Sequence, residues 1–300
     1  MVTLECVKFI QAAFIQWDVL IYDVSKDLNT KVQTSNLNEE LGTVHFVFSD
    51  KTGTLTQNVM EFKRFSAGNK SYGTKTPKID VNDLKRRGIT NVNFEDPAVE
   101  YELNNRGENF NYLHSFLEIL SVCHTIIVEK KDGVPTYNAS SPDELALVNA
   151  AKYLGYSFIG RDDDDNIVVN QKGEEVKYKL LNLIEFTSTR KRMTVIVKTS
   201  DDRIKVLCKG ADSIIIPRLK HNPHLIEKTT QFLDGYAKEG LRTLLLACKE
   251  ISEEEYLNWK EKYDEALVSP YDRESAINKA AELMEYDFNL IGSSAIEDKL

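Results

Sequence analysis

The chain has 300 residues, enough for about two domains with a sizeable core; 42% hydrophobic and 28% charged residues, with only 14 glycines and 7 prolines, suit a folded globular protein. The 38 lysines and arginines against 47 acids leave a formal charge of −9, which opposes non-specific binding to nucleic acid or to an anionic lipid surface, so no nucleic-acid partner is expected. Cys6, Cys123, Cys208 and Cys248 are far apart with no Cys-x-x-Cys pair, a pattern that suits a reducing compartment and argues against structural zinc.

The first residues lack a basic region followed by a small-residue cleavage site, so secretion is not expected. From Val2 to Tyr22 the stretch is about membrane length, but Glu5, Lys8, Gln11, Gln16 and Asp18 interrupt it. Ile10, Ala13, Phe14, Trp17 and Ile21 recur at helical spacing, which predicts an amphipathic helix that leans on something apolar, or an ordinary core-covering helix. A polar connector, roughly residues 25–41, leads to the apolar run Val44–Phe48 ahead of Ser49 and Asp50, which reads as a strand buried on both faces in a parallel sheet.

The longer remainder of the chain predicts antiparallel structure instead. Strands are expected near Leu180–Glu185, Met193–Lys198, Ile204–Cys208 and Thr243–Cys248, the middle two joined by a turn at Thr199–Asp202 too short for a parallel crossover. Helices are expected at Tyr112–Val122, Pro142–Leu154, Pro223–Glu239, Glu253–Tyr263 and Arg273–Met284. The acidic run Asp162–Asp165 reads as a solvated turn, and His221 and His224 as surface residues at a helix start.

Five blocks carry chemistry. The first is Asp50-Lys51-Thr52-Gly53-Thr54-Leu55-Thr56, placed at the carboxyl end of the apolar strand, where open parallel sheets bind ligands. An aspartate there attacks a terminal phosphate once Mg²⁺ screens the charge; the alternative is an aspartate capping a turn. In Ser140-Ser141-Pro142-Asp143-Glu144, Ser141 and Glu144 have capping-box spacing, and Glu144 also suits an adenine amino group. Glu185-Phe186 through Ser188-Thr189-Arg190-Lys191-Arg192 offers an aromatic stacking face with cations nearby for a purine and its phosphates, or else a solvated hairpin. In Lys209-Gly210-Ala211-Asp212 a lysine at a strand end reaches a phosphate or flanks a purine. In Glu239-Gly240-Leu241-Arg242-Thr243, Arg242 is a phosphate clamp or merely an edge charge.

The seven-residue string matches the phosphorylation motif of the P-type ATPases. With Ser35-Asn36-Leu37-Asn38-Glu39-Glu40-Leu41-Gly42, Ser-Pro-Asp-Glu, the basic strand entry and Ala295-Ile296-Glu297-Asp298-Lys299-Leu300, nearly the whole chain resembles the phospholipid-flippase branch of that family. The resemblance implies an ATP-driven phospholipid translocase. Asp50 would be phosphorylated, with Mg²⁺ on Asp50 and Thr52 and with Lys51 near the γ-phosphate. Phe186 would stack on adenine, and Glu144, Ser188, Lys209, Arg242 and Thr243 would line the nucleotide pocket. Local departures are small: Gln16 where asparagine is common, Leu145 where alanine is usual, and Gly292-Ser293-Ser294 where Gly-Ala-Thr is common.

The implied fold is α/β: an α+β nucleotide-binding domain, an antiparallel sheet with flanking helices, inserted in an incomplete doubly wound phosphorylation domain. Residues 1–28 would be the cytoplasmic end of a membrane or stalk helix, 29–58 the first segment of the phosphorylation domain, 59–296 the nucleotide-binding domain and 297–300 the second hinge. The whole protein would be an integral membrane enzyme with this segment on the cytosolic side. Phospholipid would be handled by membrane helices not in these residues, and an accessory subunit is a further partner. ATP and Mg²⁺ are the expected ligands, with binding but no sustained turnover by these residues alone. The phosphorylation string is shared with cation-transporting P-type ATPases. A soluble haloacid-dehalogenase-type phosphatase would usually carry a second Asp where Thr52 stands, and a nucleotide-binding module without chemistry is the remaining alternative.

Overall fold

The computed structural model of the chain describes residues 2–24, 26–35, 37–74, 77, 79–131, 134–270 and 272–299. It divides into two units, Met1–Leu55 and Thr56–Leu300.

In the first unit, α1 (Val2–Trp17) ends at Asp18, whose carboxylate accepts from the Leu20 amide and starts a single 3-10 turn at Val19–Ile21. The helix is shorter than the predicted stretch, and its large apolar side chains Phe9, Ile10, Phe14 and Trp17 are exposed, Phe14 at 63% and Trp17 at 70%. Among the described residues no helix is long and apolar enough to cross a membrane. A short α2 (Asn38–Leu41) comes next. The strand expected at Val44–Phe48 does not form: these residues have no regular structure, and Phe48 is 96% exposed. A strand needs a ladder partner, and among the described residues none pairs with this run. A single wide helical turn spans Lys51–Leu55.

The second unit is built on strands β1 (Met60–Ala67), β2 (Lys70–Tyr72), β3 (Ile127–Lys131), β4 (Val134–Asn138), β5 (Tyr156–Arg161), β6 (Ile167–Gln171), β7 (Glu174–Ile184), β8 (Arg192–Lys198), β9 (Ile204–Gly210), β10 (Arg242–Ile251) and β11 (Asn289–Asp298). Nine of the described strands form one antiparallel sheet in the order β2-β1-β11-β10-β9-β8-β7-β6-β5, and β3 with β4 forms a separate hairpin. Its helices are α3 (Val81–Arg86), α4 (Pro97–Asn105), α5 (Phe110–Val122), α6 (Pro142–Tyr153), α7 (Asp212–Ile215), α8 (Pro223–Lys238), α9 (Glu253–Leu267) and α10 (Arg273–Glu282). The α+β architecture and antiparallel sheet are as expected, and the predicted strands and helices are present with ends moved by a few residues.

Helices cover both faces of the sheet, which is why β8 and β9 read as continuous apolar runs. Met193, Val195, Val197, Leu207 and Leu246 point to the face packed by α5 and α6; Ile196, Val206, Cys208, Leu245 and Ala247 point to the other, under α8, α9 and α10. The first core is rich in phenylalanine: Phe65 stacks on Phe116 at 4.5 Å between ring centres and lies 5.4 Å from Phe94. Local signals start the helices. Asp96 accepts from the Ala98 amide with Pro97 at the first helical position of α4, Asn222 accepts from Leu225 ahead of α8, and Ser252 accepts from Glu255 ahead of α9. Gly240, at φ +76°, ends α8 and turns the chain into β10. The acidic run is a turn in which Asp162 accepts from the amides of Asp164 and Asn166 and pairs with Lys177; His221 and His224 are exposed.

Candidate functional site

A cavity of ≈ 260 Å³ lies on the α5/α6 face of the second unit, where the ends of β8, β9 and β10 meet the start of α6. Its lining includes Thr125, Ser140, Ser141, Asp143, Glu144, Leu147, Glu185, Phe186, Met193, Lys209, Gly210, Arg242 and Leu244. Glu144, Phe186, Lys209 and Arg242, four of the predicted residues drawn from four separate blocks of sequence, are thus brought together. Three larger clefts, ≈ 560 Å³ beside Arg87, Tyr153 and Lys172, ≈ 750 Å³ beside Trp259 and Tyr286, and ≈ 350 Å³ beside Thr189, Asp272 and Lys279, contain none of the predicted site residues.

Strand alternation sets what faces the cavity. Met193, Lys209 and Leu244 project to this side because each is an even number of residues from a core residue of the same face: Val195, Leu207 and Leu246. Thr243, one residue out of phase with Arg242 and Leu244, is half-buried and outside the cavity lining. Ser188 is exposed on the β7–β8 loop and is also outside the lining. Phe186 stands on the same loop, 58% exposed, and presents its ring at the cavity wall. Gly210 lies so close to the loop that a Cβ there would sit 2.7 Å from the Lys191 carbonyl oxygen and 2.6 Å from the Arg192 Cβ.

The polar end of the cavity is a tight network. Lys209 Nζ donates to Glu144 Oε1 at 2.9 Å, while the Thr125 amide and hydroxyl donate to Oε2 at 3.2 and 2.8 Å. Glu144 therefore does not close the capping box expected with Ser141, whose side chain makes no cap hydrogen bond; its carboxylate is engaged by Thr125 and Lys209, while Pro142 does occupy the first helical position. Burial works to raise the Glu144 carboxyl, but the Lys209 ammonium and the three hydrogen bonds outweigh it and hold it at about 2. Arg242 Nη2 lies 3.0 Å from Asp143 Oδ2, and the other Asp143 oxygen is buried without a hydrogen-bond partner. Burial raises the Asp143 carboxyl, against the pull of Arg242 and Lys209.

Behind this network His124 is buried and neutral. Its Nε2 donates to the Ser121 carbonyl at 2.9 Å and its Nδ1 accepts from the Ile126 amide at 3.1 Å; burial, with Lys209 nearby, lowers it to about 4. Thr125, next in sequence, is thereby fixed beside Glu144. Sequence reasoning misses Thr125 because it carries no motif and lies 19 residues from its partner.

Arg190 and Arg192 depart from both sequence-based alternatives. They neither line the cavity nor form a solvated hairpin: they are 6% and 3% exposed and turn to the opposite face of the sheet, where both pair with Glu285.

Asp50 is exposed in the first unit, directly before the helical turn. The side chains of Lys51 and Thr52 lie outside the described residues. An exposed carboxylate is a hard oxygen donor that suits Mg²⁺, an ion that keeps water and phosphate oxygens in its shell and needs only one or two protein carboxylates. Among the described residues no three His, Cys, Asp or Glu side chains form a metal cluster.

The family model for P-type ATPase, cytoplasmic domain N, matches residues 112–300, which contain the whole lining of the cavity. The chain is 39% identical over 308 residues to phospholipid-transporting ATPase IC of Homo sapiens, covering all of this chain and 24% of that protein. It is 43% identical over 303 residues to phospholipid-transporting ATPase DRS2 of Saccharomyces cerevisiae, covering 22% of it, and 40% identical over 303 residues to phospholipid-transporting ATPase tat-1 of Caenorhabditis elegans, covering 25%. The chain spans about a quarter of the length of the curated relatives it matches. On the match to domain N over most of its length, the chain belongs to the P-type ATPases.

Proposed function

We propose that the chain is the nucleotide-binding part of a phospholipid-transporting P-type ATPase and that the cavity between Phe186 and Lys209 takes the adenosine end of ATP. The observation that carries this is the convergence on one cavity of an exposed aromatic, the apolar side chains of Leu147, Met193 and Leu244, the buried cation Lys209 and the exposed cation Arg242. Whole-ligand pockets run ~300–1,000 Å³. A cavity of ≈ 260 Å³ is the size for base and sugar, which leaves the phosphates at the rim beside Arg242. Phe186 stacks on the purine, Glu144 and Lys209 hold the base edge, and Arg242 exchanges Asp143 for a phosphate. Ser188 and Thr243 take no part in this cavity.

Asp50 is the nucleophile in this proposal. Its carboxylate oxygen attacks the γ-phosphorus, the bond to the β,γ-bridging oxygen breaks, ADP leaves, and an aspartyl-phosphate is formed. Mg²⁺, held by Asp50 and Thr52, neutralises charge on the phosphates when bound. Lys51 is assigned to the γ-phosphate on the family resemblance alone. Residues 1–28 are assigned to the cytoplasmic end of a membrane or stalk helix, 29–58 to the first segment of the phosphorylation domain, 59–296 to the nucleotide-binding domain and 297–300 to the second hinge. The transported phospholipid and an accessory subunit meet other parts of the protein.

The test uses the protein that contains these residues, in detergent with γ-labelled ATP and Mg²⁺. The expected result is a hydroxylamine-labile label absent from Asp50→Asn, and turnover stimulated by phospholipid and not by metal cations other than Mg²⁺. Label retained in Asp50→Asn would overturn the assignment of the nucleophile, and stimulation by a transported cation would overturn the lipid assignment.

A further inference from the structure

Phe186 is placed by groups it never touches. Glu185 to Thr189 are all exposed, so the loop that carries the aromatic wall has no apolar anchor of its own. Its side-chain anchor lies on the far side of the sheet. Arg190 and Arg192 both reach Glu285, in the connection between α10 and β11, whose side chain is 0% exposed. Arg190 Nη2 donates to Oε1 at 2.5 Å, Arg192 donates to Oε2 from Nε at 2.7 Å with Nη2 at 2.6 Å, and the Thr194 hydroxyl donates to Oε1 at 2.5 Å.

Between the two arginines Lys191 is held at φ +50°, an uncommon conformation for a residue with a Cβ. Its amide donates to the Thr187 carbonyl at 2.7 Å and its own carbonyl accepts from Ala211 at 3.0 Å. The loop is therefore pinned beside the β9 end that carries Lys209, with Gly210 at the point of closest approach. A buried ion pair adds little net stability compared with apolar packing; its best-supported use is to select one arrangement over others.

We infer that Glu285 is a positioning residue for nucleotide binding: through Arg190 and Arg192 it holds the Phe186 loop against the end of β9 and so sets the gap between Phe186 and Lys209. The inference rests on the nucleotide reading of the cavity. It makes Glu285, 95 residues from Arg190 in sequence and on the opposite face of the sheet, a determinant of ATP affinity.

The experiment is a double-substitution cycle on the 300-residue chain, with ATP affinity measured by titration calorimetry and folding by thermal unfolding. Glu285→Gln is expected to weaken ATP binding about tenfold. Combined with Phe186→Ala the losses are expected to fall well short of multiplying, because both remove the same stacking contact. Leu233→Ala, in α8 on the same face of the sheet, lowers the unfolding temperature and leaves ATP affinity within about twofold. If Glu285→Gln does not fold, Thr194→Val removes one of the four donors and is expected to weaken binding about threefold. Unchanged affinity in the folded variant, or losses that multiply in full, overturns the positioning role alone. An unsubstituted chain that does not bind ATP, or Phe186→Ala binding as well as it, overturns the nucleotide reading and this inference together.

Discussion

At the scale of single residues, Lys209 does two things in the structure. It compensates the buried carboxylate of Glu144, and it presents the remainder of its ammonium to the cavity. Lys209→Met strands Glu144 without its cation, so the variant is expected to lose about 3 kcal/mol in urea unfolding, the cost of breaking a buried pair from one side. Full stability in that variant would show that the pair is not needed to hold α6 to β9. Two residues of this region also set a dependence on pH. His124, held at about 4 against an ordinary 6.5, binds fewer protons folded than unfolded between those values, so its contribution is present above pH 6.5 and lost as pH falls towards 4. Glu144, held at about 2 against 4.5, contributes above pH 4.5, and that is lost as pH falls towards 2. Unfolding midpoints are thus expected to decline in two overlapping steps on acidification, with the step above pH 4 flattened in His124→Gln. An unaltered profile in that variant would contradict the buried neutral histidine.

At the scale of elements, Gly292 shows how closely the paired strands β11 and β1 approach each other. A Cβ there would lie 1.9 Å from the Ser66 carbonyl oxygen, a clash that only backbone movement relieves. Gly292→Ala is expected to cost about 3 kcal/mol or more, measured by denaturant unfolding. Neither β1 nor β11 is foreseeable from sequence. Lys63 and Arg64 interrupt the first, and Gly292-Ser293-Ser294 gives the second a polar centre, yet Ser66 and Ser293 are buried and hydrogen-bond each other at 2.8 Å. Strands β8 and β9 are legible as largely apolar runs of strand length, and helices α5, α6, α8, α9 and α10 because their apolar positions keep period 3.6 over enough residues. The site is legible in part. Lys209 and Arg242 can be placed by the ends of the strands on which they stand and Phe186 by the turn between two strands, but the bonds of Glu144 to Lys209, and of Glu285 to two arginines, join residues 65 and more apart that no local pattern links. The basic run at Arg190–Arg192 misleads for the same reason: its partner is invisible until the sheet is closed.

At the scale of the whole molecule, both apolar cores and the cavity lining are drawn from Thr56–Leu300, while the largest exposed side chains of the run Val44–Phe48 belong to the first unit. Residues 56–300 expressed alone are therefore expected to unfold at the same midpoint as the full chain and to bind ATP with the same affinity. A lower midpoint in the shorter chain would show that the first unit contributes to that core. The central claim is that the cavity under Phe186 is an adenine-nucleotide site, and the most direct measurement is calorimetric titration of ATP into the 300-residue chain and its Phe186→Ala variant. One saturable site per chain, weakened tenfold or more by the substitution, is the predicted result. No binding to the unsubstituted chain, or equal binding by the two, would contradict it.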